Sequence, residues 1–447
     1  MEELQLIFAI ISGIALLLFL IIKLKLNAFL SLLTASIWVG LWGGLSPAII
    51  LQSISKGMGD TLAFVATIVG LGAIFGAILE HSGGAQALAK FLLKKGGETK
   101  SRLALLITGF IVCIAVFFDV GIIILFPLVK ALTNRVKKNV LAFALPLLTG
   151  LAVTHSFIPP TPGPVAVADI LKVDLGYAIV VGLIIGLPVA LICGLWLSKY
   201  ITPAEVTNFE DEKEMTEEYD TSLVKLIFLI LGLPIGLILV GSLFNTLALE
   251  GIIAQSKWVE ILAFIGHPFV SLLLATLLAL YFLGTKRGLT RQELFDVSNR
   301  SLSPAGSIIL ITGAGGVLKQ MMISTGIGEM IAASMQNSSF SIVLLAYLVS
   351  ALVRIMQGSA TVAMLTAAGI VAAVIIDMDL AMIDKTLIMM AIAAGSIILS
   401  HVNDSGFWLV NRYLNQSVQQ TLKSWTIQST MISVTSFVLI FLIYQFV

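Results

Sequence analysis

Long apolar runs follow one another along almost the whole chain, and they constrain the fold more than any other feature. An α-helix needs roughly 20 apolar residues to cross the hydrocarbon core of a bilayer. Only 11% of the 447 residues are charged, whereas a soluble domain carries about 25%. Most of the chain therefore cannot face water, and the sequence predicts an all-α polytopic membrane protein with roughly ten to fourteen crossings.

Charge and cysteine content argue against several other classes of protein. The formal net charge of +1 gives no reason to expect a nucleic-acid partner. The two cysteines, Cys113 and Cys193, lie within apolar runs and predict neither a disulfide nor a metal framework. The chain starts with Met1-Glu2-Glu3, which is acidic where a cleaved signal peptide would be basic. We therefore predict that the first apolar run is a retained membrane helix.

The apolar runs form two sets around one polar segment. That segment contains Glu210-Asp211-Glu212-Lys213-Glu214 and is typical of a solvated linker. We predict a first membrane repeat over residues 1–199, an acidic cytoplasmic linker over 200–222 and a second membrane repeat over 223–447.

The two halves resemble each other at a nearly constant shift. Gly70 and Gly313 open similar small-residue segments 243 residues apart, and His155 and His401 are 246 residues apart. Duplicated halves with interrupted helices at equivalent places are typical of secondary transporters. Basic loops follow the first helix of the first half and the second helix of the second half. Because basic loops are usually cytoplasmic, we predict inverted repeats, with the N-terminus outside and the linker inside.

Two broken segments occupy equivalent positions in the halves. The run 154–164 has four prolines within six positions, which cannot continue a helix. Non-helical backbone is tolerated at membrane depth only where it lines a cavity or is buried in protein; an ordinary surface loop is the alternative. The matching run 399–408 contains a histidine, an amide, a carboxylate and hydroxyls. We predict that the backbone is interrupted at Pro159, Pro160, Gly163, Gly315 and Gly358.

Three charged side chains lie inside apolar sequence, where an unpaired charge is costly. Asp119 is predicted to be a carboxylate in a cavity, where burial favours its neutral form and suits a proton carrier. The alternative is an exposed turn between two short helices. Arg354 is a candidate counter-ion for a carboxylate, because its planar fork binds two oxygens; the alternative is snorkelling at a helix end. For Lys319 the snorkelling alternative is favoured.

On these segments the chain resembles the gluconate permease family of proton symporters, within the wider ion-transporter superfamily. The most specific segments are 155–164, 354–364 and 400–408, and 117–121 fits the family's aromatic–acid–small motif. Members often have a second histidine where this chain has Thr161. The resemblance implies a homodimer in which each protomer has a scaffold and a transport domain. It also implies two re-entrant hairpins and an elevator-like movement.

We therefore predict a secondary active transporter of the inner membrane, with several crossings, that takes up gluconate or a related sugar acid or hydroxy acid with protons. D-serine or glycerate is the alternative substrate within the family. A passive channel and an intramembrane hydrolase are the rivals from other classes. The predicted partners are a small acid anion, the lipid bilayer and a second copy of the chain. Protons are the coupling ion and no cofactor is predicted.

The predicted site residues are the polar side chains of the broken segments and their neighbours. No metal site is predicted. A metal site formed by His155, His401 and Asp404 is the alternative. The predicted proton-coupling residues are Asp119, Asp404 and His155. The predicted substrate-binding residues are His155, Ser156, Thr161, Arg354, Gln357, Ser359, Thr361, His401, Asn403 and Ser405.

Overall fold

The computed structural model describes residues 2–96, 100–203, 221–249, 252–326, 341–376 and 378–447. These residues form helices and connecting turns, and no β-strand occurs among them. Positions 204–220 of the predicted linker lie outside the described residues. The helices of the first half are α1 (Glu2–Ile22), α2 (Ala28–Trp42), α3 (Pro47–His81), α4 (Gly84–Gly96), α5 (Ser101–Val112), α6 (Phe118–Val136), α7 (Leu141–Phe157), α8 (Pro162–Leu171), α9 (Leu175–Leu191) and α10 (Ser198–Ile201), with a π-helical turn at Ile192–Leu197.

The second half contains a similar series. Its helices are α11 (Thr221–Leu249), α12 (Lys257–Gly266), α13 (Pro268–Ala279), α14 (Arg291–Ser324), α15 (Ile342–Gln357), α16 (Ala360–Ile375), α17 (Met382–Gly395), α18 (Ser405–Tyr413), α19 (Val418–Thr421) and α20 (Ile427–Tyr444), with π-helical turns at Leu280–Gly284 and Leu422–Thr426 and a 3-10 turn at Thr285–Arg287. The long helix, the two pairs of short helices and the late π-helical turn occur in the same order in both halves. The order of elements therefore supports the predicted duplication.

Eight segments of the described chain are long and apolar enough to cross a bilayer. Four shorter apolar helices, α2, α5, α15 and α16, accompany them. The 12 residues of α5 are too few to cross the hydrocarbon core, because a helix rises about 1.5 Å per residue and the core is about 30 Å thick. The all-α, multi-pass architecture predicted from the sequence is confirmed.

The long helices of the two halves, α3 and α14, pack against each other in opposite directions. Near the start of α3, Ser53 Oγ lies 2.9 Å from Ser324 Oγ at the end of α14. Further along α3, a Cβ on Gly57 would lie 2.5 Å from the Gly316 carbonyl oxygen, so the missing side chain permits close contact. Gly70 then faces Leu302. An antiparallel pairing of equivalent helices is what inverted repeats require, and the inversion of the whole halves stays a prediction.

Helices α5 and α6 form a hairpin whose tip is the segment 113–117. Arg102 Nε, at the start of α5, donates to the Ala142 carbonyl at the start of α7 over 3.1 Å. Further along, Gly150 of α7 packs directly on the Leu106 carbonyl of α5, so these two helices are parallel. Helix α6 returns in the opposite direction alongside α7, with Phe126 facing Ala144 and Leu147. The apolar sequence over 103–128 is therefore divided between two short helices.

In the second half, α15 and α17 show the same parallel arrangement. Ser350 Oγ donates to the Ile392 carbonyl over 2.7 Å, and His401 lies against the Ile355 carbonyl beyond the end of α17. The hairpin of α15 and α16 turns at Gly358, whose φ of 87° is in the left-handed region that favours glycine.

The predicted interruption at Gly315 is wrong, because α14 continues through it to Ser324. Gly315 instead permits the close approach of α16. A Cβ on Gly315 would lie 3.3 Å from the Leu365 carbonyl, and a Cβ on Gly369 would lie 2.9 Å from the Gly315 carbonyl.

Candidate functional site

Four interruptions of helices meet in the middle of the molecule. They are the hairpin tips 113–117 and 358–359, the break at 158–161, called the first break, and the break at 396–404, called the second break. The Phe118 and His155 rings are 6.5 Å apart, which joins the first tip to the first break. A Cβ on Gly358 would lie 2.2 Å from the Asn403 carbonyl, which joins the other tip to the second break.

A helix begins directly after each of these interruptions. Ser359 caps α16, since its Oγ accepts from Val362 N over 3.4 Å. Asp404 caps α18, since its Oδ1 accepts from Gly406 N over 3.0 Å. Helices α6 and α8 begin after Phe117 and Thr161 without a side-chain cap. The first N–H groups of a helix have no intrahelical partner, and its dipole is positive at that end, so this arrangement favours an anion.

A buried ion pair links the second hairpin tip to the second break. The Arg354 guanidinium, from the last turn of α15, donates to Asp404 Oδ2 and to the Gly358 carbonyl. Arg354 and Asp404 are 5% and 7% exposed, so the snorkelling alternative for Arg354 is wrong. The pairing of Arg354 with Asp404 was not predicted from the sequence. The role of Arg354 as the counter-ion of a substrate stays a prediction.

Asp119 lies in the first turn of α6, near Ser405, Asp404 and Arg354. The segment before it is a turn between two short helices, but the alternative of an exposed turn is wrong, because residues 113–117 are buried or partly buried. Asp119 itself is also partly buried. In the described chain, this cluster brings two carboxylates and one guanidinium together beside the starts of α6 and α18.

His155, near the end of α7, is partly buried, and its imidazole lies near Arg354. Its Nδ1 has no hydrogen-bond partner among the described residues. A small cleft beside it is bounded by Gly72 and Phe75 of α3, by the first hairpin tip and by Pro160–Pro162. The cavity volume is about 10 Å³, which is room for about one water molecule.

The other predicted histidine takes a different role. His401 Nε2 and Asn403 Nδ2 both lie 2.9 Å from the Ile355 carbonyl. These two side chains therefore satisfy a backbone group near the end of α15 and connect the second break to the second hairpin tip.

The remaining predicted residues are all near the interruptions, with different exposures. Thr161 Oγ1 donates to the Ile158 carbonyl over 2.6 Å and closes the first break. Ser156 is buried, and Gln357 Oε1 is buried without a partner in the part of the chain that is described. Thr361 is partly buried in the first turn of α16, and Ser405 is exposed. The interruptions predicted at Pro159 and Pro160 occur, with a cis peptide bond between them. The interruption predicted at Gly163 is wrong, because α8 begins at Pro162 and continues through it. Gly163 instead permits close packing, since a Cβ there would lie 2.5 Å from Met364 Cε.

Sequence reasoning missed two residues with polar contacts in this region. Trp425 Nε1 donates to Ser400 Oγ over 2.8 Å, and Ser400 Oγ donates to Asp404. No signal marked Trp425, which lies far along the chain in a separate apolar run.

Lys319 lies away from the breaks. Its Nζ donates to the Ile170 carbonyl at the end of α8 over 2.5 Å, and snorkelling of this side chain stays a prediction.

The described residues contain no group of three or more histidine, cysteine or acidic side chains that could hold a metal ion. His401 is bound to a carbonyl and Asp404 to a guanidinium, so the alternative of a metal site between them has no support in their contacts.

Comparison with known proteins decides the family. A family model described as GntP family permease matches residues 4–447. The chain belongs to the GntP permease family. It is 38% identical to a gluconate permease of Pseudomonas aeruginosa over 95% of this chain and 94% of that protein. It is 35% identical to the Gnt-II system L-idonate transporter of Escherichia coli strain K12, over 95% and 96% of the two chains.

Among solved structures, this GntP family chain is similar to the YdaH transporter of Alcanivorax borkumensis. The TM-score is 0.63, the sequence identity is 14%, and 88% of each chain is covered. At that identity the likeness concerns the fold alone.

Membership of the GntP permease family confirms the resemblance inferred from the broken segments. The family and the named relatives are permeases and transporters, which agrees with the prediction of a transporter rather than an enzyme. With eight segments able to cross a bilayer, the chain is a multi-pass membrane protein, consistent with the inner membrane.

Proposed function

We propose that this permease takes up gluconate or a closely related sugar-acid anion together with protons. The observation that carries the proposal is the cluster of Asp119, Asp404 and Arg354 beside the starts of two helices. A gluconate permease and an L-idonate transporter are among the relatives of this chain. Gluconate and L-idonate are both six-carbon sugar acids, which supports this class of substrate.

The charges of the cluster give a physical reason for coupling. With both acids ionised, Arg354 neutralises one carboxylate and the other repels an incoming anion. When one acid takes a proton, the cluster becomes neutral and the helix N-termini attract the substrate carboxylate. Proton and anion therefore bind together, which is the requirement for symport. The polyol part of the substrate would be bound by nearby hydroxyl and amide groups, including Ser359, Gln357 and Ser405.

The small size of the cleft beside His155 supports a movement during transport. Its volume of about 10 Å³ holds about one water molecule, so a six-carbon acid needs the site to open. In the proposal, the hairpins and broken helices move against α3 and α14 as in an elevator, and two copies of the chain form a dimer. Cross-linking of single cysteines placed on α3 and α8, with and without gluconate, tests the movement.

The free energy available for transport depends on whether one or two protons move with each substrate anion. One proton moved with one monoanion carries no net charge, and the pH gradient supplies about 1.4 kcal/mol per pH unit. A second proton would add roughly 2.3 kcal/mol per 100 mV of membrane potential. Proteoliposomes with an imposed potassium diffusion potential distinguish the two, because accumulation responds to the potential only if net charge moves.

The direct test is uptake of radiolabelled gluconate into proteoliposomes with an acid exterior. The expected result is accumulation that depends on the pH gradient and does not need sodium. Equal accumulation without the gradient, or dependence on sodium, would overturn proton coupling. Competition by D-serine and glycerate measures how far the site prefers sugar acids. Flux without saturation or counterflow would indicate a channel.

A substitution focuses this test on the cluster. Asp119→Asn removes an acid while keeping its shape, so we expect loss of gradient-driven accumulation with retention of gluconate exchange. The matched control is Asp379→Asn, an exposed acid distant in sequence from the four interruptions. Full accumulation by Asp119→Asn would exclude Asp119 from proton coupling.

A further inference from the structure

Every polar group of Ser400 is bound by the segment that follows α19. Trp425 Nε1 donates to Ser400 Oγ over 2.8 Å, and Thr426 Oγ1 donates to the Ser400 carbonyl. The Ser400 N–H donates to Ser429 Oγ over 3.1 Å. Ser400 is 1% exposed and Trp425 is 3% exposed, so both are inaccessible to solvent and substrate. These three hydrogen bonds hold the second break against the segment 425–429.

The contact with Trp425 also fixes the direction of the hydrogen bond between Ser400 and Asp404. An indole N–H can only donate, so it occupies an acceptor position of the Ser400 hydroxyl. The hydroxyl proton is then available for Asp404, to which Ser400 Oγ is bound. Trp425 therefore orients the Ser400 O–H toward the carboxylate.

Asp404 is consequently surrounded by donors. Its Oδ2 receives hydrogen bonds from Arg354 and Ser400, and its Oδ1 receives one from Gly406 N over 3.0 Å. A carboxylate accepts from all of these, whereas a protonated acid would need an acceptor for its own proton. Asp119 has a different environment, since it faces the Ser405 hydroxyl, which can donate or accept.

We infer that Trp425 and Ser400 are positioning residues that hold Asp404 as the permanent counter-ion of Arg354, and so leave Asp119 as the acid that exchanges the coupling proton. The inference rests on the proposed function and assigns different roles to the two acids of the same site.

The first experiment compares Trp425→Phe with Trp38→Phe. The Trp425 ring stacks on Phe118 with centroids 5.6 Å apart, and phenylalanine keeps an aromatic ring there while removing the N–H. Trp38 on α2 is a matched control, because its Nε1 also donates to a serine hydroxyl, that of Ser12 on α1, over 3.0 Å. Ser400→Ala removes the hydroxyl itself and gives a second variant should Trp425→Phe fail to fold.

The readout is gluconate exchange with equal pH on both sides of the proteoliposome membrane, measured from acid to alkaline medium. The charged groups close to Asp404 are Asp119 on α6 and Arg354 on α15. Of the two nearby histidines, His155 on α7 lies near Arg354, and the His401 ring is bound to the Ile355 carbonyl. Without the Ser400 donor, the Asp404 carboxylate accepts one hydrogen bond fewer, and its ion pair with Arg354 is held less firmly. We expect exchange in acid medium to fall about tenfold, as for loss of a hydrogen bond to a charged group, with near-normal exchange in alkaline medium. Trp38→Phe should keep the wild-type profile.

A second experiment separates the two acids. Asp404→Asn should abolish both accumulation and exchange, because Arg354 is left unpaired, whereas Asp119→Asn should keep exchange. Wild-type pH profiles for both Trp425→Phe and Ser400→Ala, or exchange retained by Asp404→Asn, would overturn the inference. Failure of the proposed function itself would be visible in the wild-type protein, as a lack of gradient-driven gluconate accumulation.

Discussion

The first and second breaks occupy equivalent places in the two halves but are held in different ways. The first break is closed by prolines and by one hydrogen bond from Thr161, and Thr154 Oγ1 and His155 Nδ1 lack partners among the described residues. At the second break, Ser400 and Asp404 are bound at every polar group. The difference teaches that a duplicated fold can divide its chemistry, with a firmly bound serine and aspartate at one break and free polar groups beside the other.

The largest expected effect comes from Arg354→Met, which breaks the anchor. It leaves the Asp404 carboxylate buried without its partner, a change that typically costs about 3–5 kcal/mol. We expect gluconate uptake to fall at least about 100-fold, with a lower melting temperature in detergent. The matched control is Arg412→Met, an exposed arginine on α18. Uptake by Arg354→Met at the wild-type rate would show that the second break needs no anchor.

Gly358→Ala tests how closely the second hairpin tip must approach the second break. Gly358 has a φ of 87°, and a Cβ there would lie 2.2 Å from the Asn403 carbonyl. Gly288 has a φ of 92° with nothing within 4 Å, so Gly288→Ala measures backbone strain alone. We expect Gly288→Ala to lower the free energy of unfolding by about 1–2 kcal/mol. Gly358→Ala should lower the melting temperature more than Gly288→Ala does, and it should also reduce gluconate uptake more. Equal effects would mean that the close contact with Asn403 is unimportant.

The sequence predicted both breaks because their signals are local. Prolines cannot continue a helix, and polar residues in an apolar run demand partners or water. The pairing of Arg354 with Asp404 could not be predicted, because 50 residues separate them and only packing of α15 against α17 brings them together. Gly315 was misassigned for a related reason, since a glycine that interrupts a helix and one that permits close packing look the same in sequence.

The roles of the two histidines also depended on packing. His155 and His401 are nearly equivalent in sequence, and that likeness predicted a shared role in binding. In the structure, His401 lies against the Ile355 carbonyl while His155 Nδ1 has no partner in the described chain. Equivalent positions therefore predicted where the site lies, but not which side chains remain available for a ligand.

His155→Leu tests whether the free polar groups of the first break face the substrate. Leucine has a similar volume and no polar atoms, so we expect little change in melting temperature and a rise in KM of about tenfold, the equivalent of ~1.4 kcal/mol. His81→Leu, at the exposed end of α3, is the control. A large loss of stability with unchanged KM would instead make His155 a structural residue. The first break would then offer no free polar groups to the substrate.

The smallest expected effect is that of Thr161→Val, which removes the one side-chain hydrogen bond seen at the first break while keeping the shape of the side chain. Loss of the bond from Oγ1 to the Ile158 carbonyl should lower stability by about 1 kcal/mol. Thr133→Val is matched to it, because Thr133 is also buried and donates to a backbone carbonyl, that of Val129, away from both breaks.

If the first break is held mainly by its prolines, the two variants should melt alike. Thr161→Val should then raise the KM for gluconate by about threefold or less, the equivalent of ~0.6 kcal/mol. A loss of uptake as large as that of Arg354→Met would mean that the first break depends on its polar contact as much as the second does.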